Sequence, residues 1–181
     1  HRRWPLRIRS MKRKIKDIAE IQIGYQFRGR VEADPQGTHK VIQIRDLDEL
    51  PFLKTENLQA VRLKGDTDRY LVNENDVLFL SRGHKNYAIP INIPLKNTVA
   101  ASYFFILRIN QDKILPEYLA WYLNQAPAQE YLHSIARRGT HIPLVPLSIF
   151  NDLTVDVPDI ETQKRIVEVS RLSEKENYLT M

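Results

Sequence analysis

The longest near-continuous apolar stretch in this chain is VAASYFFILRI, running from Val99 to Ile109. It is rich in the β-branched and aromatic residues that suit a pleated surface. It falls short of the roughly 20 apolar residues a membrane-spanning helix requires. A strand apolar at successive positions is buried on both faces, so the stretch is read as one long central strand. The other apolar runs are shorter and end in turn signals. Val41-Ile42-Gln43-Ile44 follows a turn built from Asp34-Pro35 and Gly37. Tyr70-Leu71-Val72 reads as a short strand before the turn Asn73-Glu74-Asn75-Asp76, and Val77-Leu78-Phe79-Leu80 stops at Ser81-Arg82-Gly83-His84-Lys85-Asn86.

Helical spacing appears in three places. Ile15, Ile18 and Ala19 suggest a short helix or turn near the start. Leu119, Tyr122 and Leu123 form one face behind Pro116, a residue well suited to a first helical position. Pro127 ends that helix and opens a second with Tyr131, Leu132, Ile135 and Ala136 on its face. Gly139 stands where a left-handed helix stop belongs, after Arg137 and Arg138. Leu153, Val155 and Val157 then alternate with Thr154 and Asp156 as a half-buried strand closed by Pro158, and Asp159 is placed to cap a helix starting at Ile160. Strand and helix do not alternate regularly, so a doubly wound sheet is not expected. The reading is α+β: a twisted mixed sheet of short strands, a small helical subdomain and a C-terminal helix.

At 181 residues the chain suits one domain. Its charge of +5 is misleading, because residues 1–16 hold eight of the 27 Lys and Arg and no acid. The remainder carries 19 basic against 22 acidic residues, a net of −3. Residues 1–14 are therefore set apart as a basic tail, upstream of or added to the body, with Met11 offering an alternative start. Residues 15–158 form the body and 159–181 begin a spacer or dimerisation helix. The cytoplasm is the expected location, with no membrane partner.

Motifs for chemistry are absent. Without cysteine there are no disulfides, zinc thiolates or thiol nucleophiles. The histidines are scattered, and no Gly-x-Gly-x-x-Gly, phosphate-loop lysine or Gly-x-Ser-x-Gly is present. No Asp-x-Lys or Glu-x-Lys supports a metal-dependent nuclease, and no Asn/Asp-Pro-Pro-Tyr/Phe supports an amino-methyltransferase. No catalytic residue, cofactor or metal is expected. The residues that stand out sit at loop mouths: Arg28 and Arg30; Arg45; Arg82, Lys85 and Asn86; Arg137, Arg138, Thr140 and His141. Arg and Lys neutralise phosphates, while Arg and Asn also hydrogen-bond base edges. The plain alternative for each is a solvated surface residue, and Arg137 and Arg138 also suit a helix C-terminus without any ligand.

Five segments, taken in order, resemble the target recognition domain of a type I restriction-modification specificity subunit. They are Lys16-Asp17-Ile18-Ala19-Glu20-Ile21 with Gly24 and Phe27; Val41-Ile42-Gln43-Ile44-Arg45-Asp46-Leu47; Asn75-Asp76-Val77-Leu78 with Arg82-Gly83; Leu115-Pro116-Glu117-Tyr118-Leu119 with Tyr122-Leu123; and Gly139-Thr140 to Pro146-Leu147, then Val157-Pro158 and Gln163-x-x-Ile166-Val167. Asn75 departs from the family's usual glycine, but Asn tolerates a left-handed turn. A full subunit of this family carries two such domains joined by long helices, whereas this chain holds one.

The resemblance implies a non-catalytic reader of half a bipartite site on double-stranded DNA. It further implies a methyltransferase subunit and a restriction subunit as partners. It makes the terminal helix, with Gln163, Ile166, Val167, Val169 and Leu172, an interaction element for that methyltransferase or for a second copy. Two other readings stay open from sequence. One is a protein-interaction module of a defence system that keeps the fold without reading sequence, as the net of −3 suggests. The other is an undetected DNA-processing enzyme.

Overall fold

The structure is a computed structural model that describes residues 9–47, 53–136 and 142–180. The chain opens with β1 (Ser10–Lys14), a single helical turn α1 (Ile15–Ile18) and β2 (Ala19–Ile23). Then come β3 (His39–Ile42), β4 (Gln59–Val61), β5 (Val77–Leu80), β6 (Ala88–Pro90), β7 (Thr98–Ala100) and β8 (Phe104–Ile109). Helices α2 (Pro116–Asn124), α3 (Ala126–Ala136) and α4 (Leu147–Asn151) follow, before β9 (Thr154–Pro158) and α5 (Ile160–Leu179). The α+β class is as expected, with the strands of the described residues divided among three small sheets. An antiparallel sheet runs β2-β8-β5-β6, a mixed one β4-β3-β7, and β1 pairs with β9 as a ribbon.

The antiparallel sheet lies between two layers, which explains its continuous apolar runs. Side chains alternate across a strand. Accordingly Val77, Phe79, Phe105 and Leu107 join the helices in the larger core, while Leu78, Leu80, Phe104 and Ile106 face Ile42, Val72 and Ala100. Phe79 stacks on Phe150 of α4 with ring centroids 4.4 Å apart, tying the helical part to the sheet.

Three expectations are corrected. The stretch from Val99 to Ile109 is two strands: β7 pairs in parallel with β3, and β8 lies in the neighbouring sheet. A turn closed by Phe104 N–H donating to Ala101 O (3.1 Å) carries the chain from one layer to the next. Both halves stay buried, so the run looks unbroken in sequence. Tyr70-Leu71-Val72 is not a strand. Asp66 Oδ1 accepts from Asp68 N–H (3.1 Å), a 3-10 turn covers Asp68–Tyr70, and Leu71 makes an isolated bridge to Val99. Finally, Ser10–Lys14, assigned to the tail, is a strand whose Met11 and Arg13 pair with Val157 and Val155. Lys14 and Lys16 both reach Asp152 (3.4 and 3.2 Å), holding its carboxyl below the usual range.

Other local readings hold. Asn75 has φ 73°. Pro116 begins α2. Asp159 caps α5 by accepting from Thr162 N–H at 2.7 Å.

Candidate nucleic-acid interface

The candidate interface is built around the turn between β7 and β8. Gly24, just after β2, lies so close to this turn that a Cβ would collide with the carbonyl oxygens of Ala100 and Ala101. Tyr25 bridges to Ala101 and its ring packs edge-on against Phe27 (4.8 Å) and Tyr70 (5.2 Å). The chain is thereby anchored just before Arg28, Gly29 and Arg30, which are exposed. Gly29 has φ +75°, a conformation that glycine adopts at no steric cost.

Beside this loop stands Arg45. It sits on a 3-10 turn (Ile44–Asp46) whose Asp46 carboxylate is buried and accepts from Gln43 N–H at 2.8 Å. That bond holds the turn rigid while leaving Ile44 and Arg45 exposed. Arg45 Nη2 donates to Gln59 Oε1, which also accepts from Gln43 Nε2 (3.2 Å). Between the two segments runs a groove of about 220 Å³ bordered by Phe27, Val31, Ile44, Arg45, Ser102 and Tyr103.

The loop after β5 joins the groove through Tyr103. Ser81 donates through both N–H and Oγ to Tyr103 O, each at 2.9 Å. Arg82 lies over the Tyr103 ring, 5.0 Å from its centroid. The segment entering α4 closes this loop: Gly83 N–H donates to Pro143 O (2.9 Å) and Val145 N–H to Ser81 O (2.8 Å). Lys85 is exposed, with its amine 5.9 Å from the centre of the Tyr87 ring.

The segment of Arg28 and Arg30 (through Gly29), Arg45 and Tyr103 thus meet at one groove, and Arg82 reaches it over the Tyr103 ring. Asn86 does not belong with them. Its side chain is buried and donates to Leu80 O at 3.0 Å, while its own carbonyl accepts from Gln129 Nε2 at 2.8 Å. An amide used to close the β5–β6 hairpin is not available to a base. Arg137, Arg138, Thr140 and His141 lie outside the described residues. Sequence reading missed Tyr103, Ser102 and Gln59. The polar Ser102 inside an apolar run was the one local sign of an exposed turn.

The partner helix also divides. Gln163 is fully buried: its Oε1 accepts from Leu115 N–H (2.8 Å) and its Nε2 donates to Lys113 O (3.0 Å) and Pro158 O (2.8 Å). Val167 is buried in the core and Ile166 packs against it. The first turns of α5 spend Gln163 and Val167 on α2 and β9, correcting the expectation that these two meet a partner, while Ile166 is half-buried. Val169 and Leu172 remain 56% exposed. They lie on the same stretch of α5 as a shallow cavity of about 500 Å³ lined by Trp121, Ile166, Val169 and Ser173.

Among the described residues, no cluster of His, Asp and Glu could hold a metal ion, and no helix is long and apolar enough to cross a membrane. A small α+β domain with exposed arginines around a groove defines a binding module. The chain belongs to the type I restriction modification DNA specificity domain family, whose sequence model matches residues 9–175. It is similar to the HindI specificity subunit of Haemophilus influenzae, with 29% identity over 122 residues, covering 65% of this chain and 26% of that one. Its fold is shared with the HsdS subunit from Thermoanaerobacter tengcongensis (TM-score 0.68, 16% identity, 97% of this chain and 40% of that one). The S subunit from M. genitalium is similar too (TM-score 0.62, 16% identity, 98% and 43%). The chain therefore spans about a quarter of the curated relative and about two fifths of the solved subunits.

Proposed function

We propose that this domain is a non-catalytic reader of half a DNA target site, acting in the cytoplasm within a type I restriction-modification complex. A methyltransferase subunit and a restriction subunit are its partners and carry the chemistry. The observation that carries this reading is the groove at the β7–β8 turn, lined by Gly29 between exposed Arg28 and Arg30, by Arg45 and by Tyr103 under Arg82, in a family defined by DNA specificity. The net charge of −3 over residues 17–181 does not oppose it, since phosphate contact depends on the local patch. Arg28, Arg30, Arg45 and Lys85 set the domain on the backbone, and Arg137, Arg138, Thr140 and His141 are proposed as further DNA contacts.

The outer face of α5, with Val169 and Leu172, is proposed as the docking edge for the methyltransferase subunit or a second copy. Sedimentation of the intact chain and of a Val169→Ser/Leu172→Ser variant, each with and without the methyltransferase subunit, tests that edge. Identical behaviour of the two chains would remove it.

Duplex binding measured between 50 mM and 200 mM salt tests the main reading. Each neutralised phosphate releases counterions, so affinity should fall steeply, with a slope of about −0.9 per contact. Arg45→Ala should reduce that slope by about 1. A wild-type chain whose duplex binding is absent, or insensitive to salt, refutes the proposal.

A further inference from the structure

We propose that Arg82 reads a guanine and that Tyr103 is the positioning residue that makes it able to do so. This deepens the DNA reading above and rests on it. Several other arginines of the domain spend at least one donor within the fold. Arg62 pairs with Asp34 (2.9 Å), Arg108 donates to Arg69 O and Leu71 O (2.7 and 3.0 Å), Arg69 donates to Tyr70 Oη (2.6 Å), and Arg45 donates to Gln59. Arg82 differs. Its guanidinium carbon lies over the Tyr103 ring, 5.0 Å from the centroid, and among the described residues no carboxylate lies within ion-pair distance of it. Cation–π stacking occupies the face of the guanidinium and leaves its rim of N–H donors open.

Both partners stand on fixed backbone. The residues on either side of Arg82 are tied down, Ser81 to Tyr103 O and Val145, and Gly83 to Pro143, with Arg82 itself bridged to Leu144. The Tyr103 turn is closed by the Phe104-to-Ala101 bond, and Phe104 O accepts from Gly24 N–H at 2.9 Å. A guanidinium held in this way loses little rotamer freedom on binding. Its planar fork matches the O6 and N7 acceptors of guanine in the major groove.

The surroundings favour a base edge over a phosphate. The groove beside Tyr103 is bordered by apolar Phe27 and Ile44, and Ile44 is 42% exposed. Such a surface accepts a base edge or a thymine methyl, whereas a phosphate there would lose hydration without compensation.

The test is enrichment of a randomised duplex library by the full chain, with follow-up titrations, for wild type, Arg82→Lys, Arg82→Ala, Tyr103→Leu and Tyr103→Phe. Wild type should prefer guanine at one position by about 5- to 150-fold, the range for a good bidentate pair. Arg82→Lys and Arg82→Ala should lower that ratio to about 1 while other positions keep their preferences. Tyr103→Leu should weaken the guanine preference, and Tyr103→Phe, which keeps the ring, should restore it.

Four outcomes would overturn the inference. Arg82→Lys could behave as wild type while Arg82→Ala weakens all duplexes equally and lowers the salt slope by about 1, which marks a phosphate contact. The preference lost could be for a base other than guanine. Tyr103→Leu could leave the guanine preference intact, which removes the positioning role. A wild-type chain that binds duplexes without any sequence preference overturns this inference and the half-site reading with it, and no binding overturns the DNA reading altogether. The first three outcomes overturn this inference alone. Should Tyr103→Leu unfold, the Lys and Ala substitutions at exposed Arg82 still decide the case.

Discussion

Replacing Gln163 separates a structural role from a partner role, and its cost can be worked from the structure. Gln163→Leu is close in volume but removes three hydrogen bonds, all to backbone groups. Lys113 is exposed, so its carbonyl recovers water at small cost. Leu115 N–H, at the N-cap of α2, and Pro158 C=O, at the buried end of β9, keep few alternatives. An unsatisfied buried group costs about 1–3 kcal/mol, so leaving these two unpaired should destabilise the domain by roughly 2–6 kcal/mol. That is a large share of the roughly 5–15 kcal/mol typical of a folded domain. Urea unfolding followed by circular dichroism should show a lower midpoint with an unchanged slope, because the buried surface is the same. Leu172→Ser, on the exposed part of the same helix, should move stability by less than about 0.5 kcal/mol. A Gln163→Leu chain as stable as wild type would refute the reasoning and return Gln163 to the interaction surface.

Asp76 gives a pH signature. Burial pushes its carboxyl from 3.8 up to about 6, opposed by the Asn73 N–H it accepts at 2.7 Å and by the charge of Arg108. The folded state then binds the proton more tightly than the unfolded chain, so this group's contribution is full below about pH 3.8 and is lost as pH rises through about 6. Asp76→Asn keeps an acceptor for Asn73 and should flatten that part of the stability profile, with a gain of up to about 3 kcal/mol above pH 6; an unchanged profile in urea titrations would contradict it. Asn86→Ala should cost about 1–2 kcal/mol by leaving Leu80 O uncapped, and should weaken duplex binding only as far as the hairpin loosens. A full loss of binding without a fall in melting temperature would make Asn86 a direct contact. Gly24→Ala drives a methyl into the Ala100 and Ala101 carbonyls and should cost about 1–3 kcal/mol, with duplex affinity falling alongside because the same turn carries Tyr103; a neutral melting temperature would show that the turn yields.

Much of this architecture is legible locally. Asn75 at a left-handed position, Pro116 at the head of α2 and Asp159 at the cap of α5 act within a few residues of themselves, so spacing alone reveals them. The Arg-Asp-Leu segment behaves likewise, since Asp46 folds back on Gln43 and leaves Arg45 outside. The site was half visible. The arginines are conspicuous in sequence, but Asn86 looks the same there whether its amide faces solvent or Leu80 O.

The sequence by itself determined the α+β class, the order of elements, the absence of motifs for chemistry and the loops that carry positive charge. Those depend on side-chain periodicity, caps and composition, all readable along the chain. Only the tertiary structure decided that Val99 to Ile109 divides between two sheets, that Gln163 and Val167 turn inward, and that Tyr103 meets Arg82. Each of these pairs groups distant in sequence. Whether a polar or aromatic side chain is spent on the fold or left for a ligand is settled by which layer packs against it, and no local pattern encodes that.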